Sequence, residues 1–103
     1  MSSELERAIG RVVEGTRHWS PARWASQGGA AKAGVMHALV QGLADLTADA
    51  EDRPRRPVPR LPNDMHLPDQ LQVIGLDLLE ADLTETQAAE AEALVRTARA
   101  ALF

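Results

Sequence analysis

The chain has 103 residues, 45% of them apolar and 25% charged, with a net charge of -4 and no cysteine. That length gives one domain with one modest core, burying roughly 60–65% of the surface of the unfolded chain. The missing cysteine excludes disulfides, thiolate metal sites and cysteine nucleophiles, and the acidic balance disfavours a nucleic-acid partner.

The chain opens Met-Ser-Ser-Glu-Leu-Glu-Arg, polar and acidic rather than like a signal peptide. Ser3 and Glu6 form the S-x-x-E of a capping box. Leu5, Ile9, Val12, Thr16 and Trp19 follow as one stripe of a first helix. Ser20-Pro21 stops that helix and starts a short one over 21–27. Serine suits the N-cap, and proline suits the first helical position, where an N–H would be unpaired anyway. Gly28-Gly29 ends it.

Residues 30–50 read as the longest helix, with Val35, Leu39, Leu43, Leu46 and Ala50 on one face and Met36 and Val40 beside it. Gly34, Ala38 and Gly42 form a second stripe of small residues. Glycine costs close to 1 kcal/mol in a helix interior, so this stripe predicts close approach of another backbone, within the chain or in a twofold dimer. The longest uncharged run, 33–44, includes His37 and Gln41 and is too short and too polar to span a bilayer.

From Arg53 to Pro68, five prolines forbid a regular helix and favour an extended, ordered path. Val58, Leu61, Met65 and Leu67 punctuate it. Pro68 opens the next helix, with Leu71, Ile74, Gly75, Leu78 and Leu79 on its buried face. Thr84 and Gln87 form a T-x-x-Q capping box for the last helix, which buries Ala91, Leu94, Val95, Ala98 and Leu102. Glu85, Glu90 and Glu92 lie towards its start and Arg96 and Arg99 towards its end, as the helix dipole prefers. No segment alternates like a strand.

The expected fold is all-α: a small bundle of four main helices plus one short helix, as two helical hairpins joined by a Pro/Arg-rich connector. The single domain divides into N-terminal helices (1–52), connector (53–67) and C-terminal hairpin (68–103).

Charge is uneven. Residues 1–50 balance, 51–63 carry a surplus of +2 and 64–103 carry -6, so the C-terminal part would repel a phosphate backbone. Residues 21–40 partly match a helix-turn-helix, with Ala25, Gly29 and Val35 at its small, glycine and aliphatic positions. The reading positions, Ala31, Lys32, Ala33, Met36 and His37, offer one cation and little hydrogen bonding. His18, His37 and His66 fall in three segments without metal-ligand spacing. Asp64, His66 and Asp69 read better as turn former, solvated imidazole and helix starter than as ligands. No nucleophile, phosphate-loop or metalloprotease motif occurs. We expect no catalytic, cofactor or metal site.

Three features suggest contact with another chain. Trp24, with Arg23 before it, has the composition of an interaction hot spot, whereas Trp19 continues the core stripe. Gly34, Ala38 and Gly42 offer a close-packing face. Arg56-Pro57-Val58-Pro59-Arg60-Leu61-Pro62, preceded by Arg55, fits the R-x-x-P-x-x-P form that docks into aromatic grooves, although a stiff connector explains the same residues. The expected role is that of a small, non-enzymatic cytoplasmic protein working through a protein partner, a copy of itself among the options. The alternatives are a DNA-binding regulator using 21–40 and a binder of a small apolar ligand near Trp19 and Trp24.

Overall fold

The computed structural model describes residues 3–25 and 31–103. Five helices follow in order: α1 (Ser3–Thr16), α2 (Pro21–Trp24), α3 (Lys32–Ala50), α4 (Leu67–Glu80) and α5 (Glu85–Leu102), with a 3-10 turn at Asp64–His66 before α4. The described residues form an all-α bundle without strands. Two expected helix signals, the Ser3 side-chain cap and the Gly28-Gly29 stop, lie outside the described residues.

The other caps form as their residues require. The Ser20 side chain accepts from the Arg23 N–H, with Pro21 at the start of α2. Both halves of the Thr84–Gln87 capping box are present, each at 3.0 Å. Asn63 caps the 3-10 turn by accepting from the Met65 N–H at 2.9 Å. At the end of α3, Asp52 takes the left-handed conformation at φ 55°. This lets the Arg53 N–H reach back to Ala48 O at 2.8 Å, the closure usually made with glycine in that place.

The four long helices do not pack as two side-by-side hairpins. α3 lies against α4 and α5, and α1 lies against the same two. Thus α1 and α3 face each other across one diagonal of the core, and α4 and α5 across the other. The long connector between α3 and α4 permits this interleaving. Leu5, Ile9, Val12 and Trp19 are buried as the stripe predicts, and α1 itself stops at Thr16. The Thr16 hydroxyl is satisfied by donating to Val12 O at 2.7 Å. Gly75, buried in α4, marks a close crossing of α1 and α4: a Cβ there would sit 3.0 Å from Ile9 Cγ2.

The buried face of α3 is rotated from the expected one. Met36, Leu39, Val40, Leu43, Leu46 and Thr47 are buried, whereas Val35 and Ala50 are only half-buried. Two neighbours, α4 and α5, press on this helix from different sides, so its burial centres between them. On α5 Leu94 is half-buried rather than in the core, and on α4 Ile74 and Leu79 are half-buried too.

The connector is pinned by side chains from the helices. Gln41 donates through Nε2 to Arg56 O at 3.0 Å and accepts from the Val58 N–H at 2.8 Å. Its amide thereby treats the extended chain as a neighbouring strand would. His37 donates through Nε2 to Val58 O at 2.9 Å, and Gln70 donates to Pro59 O at 3.0 Å. Val58 packs half-buried against the core. The connector is therefore ordered and free of helix up to Leu61, and a bend at Pro62 and Asn63 leads into the 3-10 turn at Asp64.

Candidate interaction groove

The indoles meet over one end of the bundle. Trp19 and Trp24 lie 4.9 Å apart between centroids, and Phe103 meets Trp19 edge-on at 5.6 Å. Phe103 reaches this position because Gly15 has no side chain; a Cβ there would come within 2.8 Å of the Phe103 ring. Trp24 is completely buried and Trp19 is 7% exposed, so both are core plugs. Trp24 is thus corrected from a partner-contact candidate to a structural residue, drawn inward by the ring of Trp19. Arg23 stacks over Trp19 at 4.5 Å, with Lys32 at 5.7 Å, so the cations cover the rings instead of offering them to a ligand.

Lys32 also tells how α3 and α5 run. Its ammonium donates to Leu102 O at 2.7 Å, capping the C-terminal end of α5. Ten residues further along α3, Gly42 sits under Leu94, whose Cδ1 would be 2.9 Å from a Cβ at that glycine. The two helices are therefore antiparallel. Along this crossing they carry small residues that line one trough: Ala38 on α3, and Ala93, Thr97 and Ala101 on α5. Small residues on both walls leave space that no side chain of the described residues fills.

The result is an open apolar groove of about 540 Å³. Val35 and Leu39 form its floor from α3 with Ala98 from α5, Leu94 closes one end, and Glu90 and Thr97 are its only polar side chains. Of the small-residue stripe, only Gly42 makes a close helix contact. At Gly34 a Cβ would meet nothing within 4 Å, and both Gly34 and Ala38 are exposed. The predicted continuous contact is thus confined to one turn within the chain; Ala38 is groove wall and Gly34 is exposed beyond it.

The basic candidates separate. Arg55 is tied to Asp49 by two hydrogen bonds of 3.0 and 2.7 Å, with Asp45 at 4.0 Å. Its guanidinium holds the Asp49 carboxyl below the ordinary value of 3.8. Arg56 points outward and is exposed. Across Arg56 to Pro62 the Val58 side chain and backbone are taken up by the bundle, so the extended segment does not present the whole face that a polyproline ligand needs.

The helix-turn-helix positions are largely committed elsewhere. Ala33 and Met36 are buried, Lys32 and His37 are engaged within the chain, and only Ala31 is exposed; Gly29 lies outside the described residues. Among the described residues no three His, Asp or Glu side chains gather in a way that could hold a metal ion, and no helix is long and apolar enough to cross a membrane. A second, smaller apolar hollow of about 330 Å³ lies between the connector and α4, beside Leu61 and Val73. Val73, at 59% exposure, escapes the sequence pattern because it falls off the buried stripe of α4.

Comparison of the chain with protein-family models, with characterised proteins and with solved structures gives no match.

Proposed function

We propose that this is a non-enzymatic binding protein that takes a helix of another protein chain against the α3–α5 groove. The observation carrying this reading is the groove itself: about 540 Å³, open, walled by Ala38, Ala93, Thr97 and Ala101 and floored by Val35, Leu39 and Ala98. A helix docks by laying an apolar face into such a trough, and small wall residues let its backbone come close. The lining has no pair of groups suited to acid–base work and no base beside its one hydroxyl, Thr97. A small apolar ligand is the second reading, because the volume lies in the range of ligand pockets; on this reading the ligand would lie along the α3–α5 groove rather than between the buried indoles.

A photoreactive phenylalanine analogue at Ala38 or Ala93 tests the proposal in the cells that make the protein. One discrete protein adduct, seen from both positions and lost when Ala101→Arg is added, supports it. Labels at Glu6, on α1, serve as the control. Adducts indistinguishable from those of the control, or none at all, overturn the protein-partner reading. Melting of the purified chain raised by apolar molecules and blocked by Ala101→Arg would favour the second.

A further inference from the structure

We infer that the face between α3 and α4 is a site for an extended segment of a partner chain, and that the connector is its tethered occupant. This face shares no lining residue with the α3–α5 groove. Gln41 takes the carbonyl of Arg56 at 3.0 Å and the N–H of Val58 at 2.8 Å. Asp45 accepts from the same Gln41 nitrogen at 3.0 Å and so fixes which way the amide faces. His37 takes Val58 O, and Gln70 takes Pro59 O. All four groups held in this way are backbone. Such contacts recognise the extended path and not the side chains along it, so another segment on the same path can make them equally well.

The connector is an imperfect occupant. Of residues 53–63 only Val58 is half-buried and the rest are exposed. Hollows of about 330 and 280 Å³ lie on its two sides, and Val58 and Ile74 line both. The valine leaves both unfilled. Gln70 is also only half used. Gln41 joins a carbonyl to the N–H two residues on, and the same pattern at Gln70 would join Pro59 O to the N–H of Leu61. Instead, Gln70 Oε1 is buried with no partner among the described residues. A buried acceptor in that state is costly until a donor reaches it.

Charge narrows the choice of partner. Asp49 and Asp45 hold Arg55, and Asp64 holds Arg60. Asp69 and Asp77 stand at the two hollows. When the connector leaves, these acids lose its arginines, so a replacement must bring cations of its own. The occupant is therefore a basic extended segment in which prolines flank one apolar side chain larger than valine.

The tethered connector competes with any such segment, and apparent affinity falls with the fraction of chains in which the site is open. The probe is the capped octapeptide of residues 55–62 carrying Val58→Leu, titrated by NMR into the full chain. Val58→Asp in the full chain should loosen the connector while leaving Gln41, His37 and Gln70 in place. The peptide should bind that variant about tenfold more tightly than the parent, with shifts at the Gln41 and Gln70 side-chain amides. The octapeptide with valine should bind it more weakly than the leucine form. Adding Gln41→Leu should abolish binding, whereas adding Ala101→Arg, in the other groove, should leave it unchanged. In the parent chain, excess peptide should speed amide exchange at Val58, a readout that stands even if Val58→Asp fails to fold. Unchanged exchange at about 1 millimolar peptide overturns the inference. So does a folded Val58→Asp chain that binds no better than the parent, or binding that survives Gln41→Leu or prefers valine.

Discussion

Three glycines in helices should respond to the same methyl group in three ways. At Gly34 an added Cβ meets nothing within 4 Å, so alanine brings only its helix preference. Because Gly34 lies in the first turn of α3, the gain is about 0.5–1 kcal/mol rather than the full mid-helix value. At Gly42 the obstacle is Leu94 Cδ1 at 2.9 Å. This atom is the far end of a flexible side chain with an open groove beside it, so a rotamer change relieves the clash. A preference gain of about 1 kcal/mol is then partly offset, leaving a net gain of about 0.5 kcal/mol.

At Gly75 the outcome reverses. The obstacle is Ile9 Cγ2 at 3.0 Å, with Cδ1 at 3.5 Å. Isoleucine in a helix has essentially one χ1 rotamer, and Ile9 is 4% exposed with the core around it. The methyl group can be admitted only by moving α1 away from α4, at an overpacking cost of about 1–3 kcal/mol. Set against a gain near 1 kcal/mol, the expected net loss is about 1 kcal/mol. Urea unfolding of the three variants, followed at two protein concentrations so that association is visible, gives the order Gly34→Ala, then Gly42→Ala, then Gly75→Ala. In thermal unfolding the Gly75→Ala midpoint should fall by about 4–8 °C. If Gly75→Ala proves as stable as Gly34→Ala, the close α1–α4 crossing is wrong, and the rest of the glycine reasoning falls with it.

Gln41→Leu should free the Arg56 carbonyl and the Val58 N–H, costing about 1–3 kcal/mol; slower or unchanged amide exchange at Val58 would show that Gln41 is not what holds the connector. Asp52→Gly should raise stability by about 0.5–1 kcal/mol, because glycine takes the left-handed conformation without the Cβ penalty, and a loss in urea unfolding would contradict the helix ending described. The hydrogen-bonded guanidinium of Arg55 lowers the Asp49 carboxyl, so the pair stabilises the fold above the unfolded carboxyl range and loses that contribution as pH falls through 3.8 and below. Asp49→Asn should therefore lose less stability than the parent between about pH 5 and pH 3, and parallel acid limbs would remove the pair from the account.

The helices were legible because their signals are local. A cap such as Thr84–Gln87, a proline at a first turn and a stripe such as Leu5–Ile9–Val12 each act over a few residues, and the chain obeys them. The rotation of α3 was not legible. Val35, Met36, Leu39, Val40 and Leu43 spread apolar groups over so much of the helix that periodicity fixes no single face, and contact with α4 and α5 decides it. The diagonal placement of α1 against α3 was hidden for a related reason: a stripe shows that a helix has a core side but not which helix lies there. Trp24 was ambiguous because composition is the same for a hot spot and a plug, and only the distance to Trp19 separates them.

The groove is further from the sequence than any helix, because it is made by what is missing. Gly34 and Ala38 are small, and Ala93, Thr97 and Ala101 are small, but the two sets stand more than fifty positions apart and neither predicts a cavity alone. The antiparallel alignment set by Lys32 at Leu102 and by Gly42 under Leu94 turns two unrelated stripes into the facing walls of one trough. The same alignment separates the two roles that the glycines had shared. Where Leu94 reaches across, at Gly42, the small residue serves packing within the chain; at Ala38 it leaves a wall open. A chain of this size leaves apolar surface uncovered at a cost, and on the α3–α5 face Ala38, Ala93, Thr97 and Ala101 are too small to cover it.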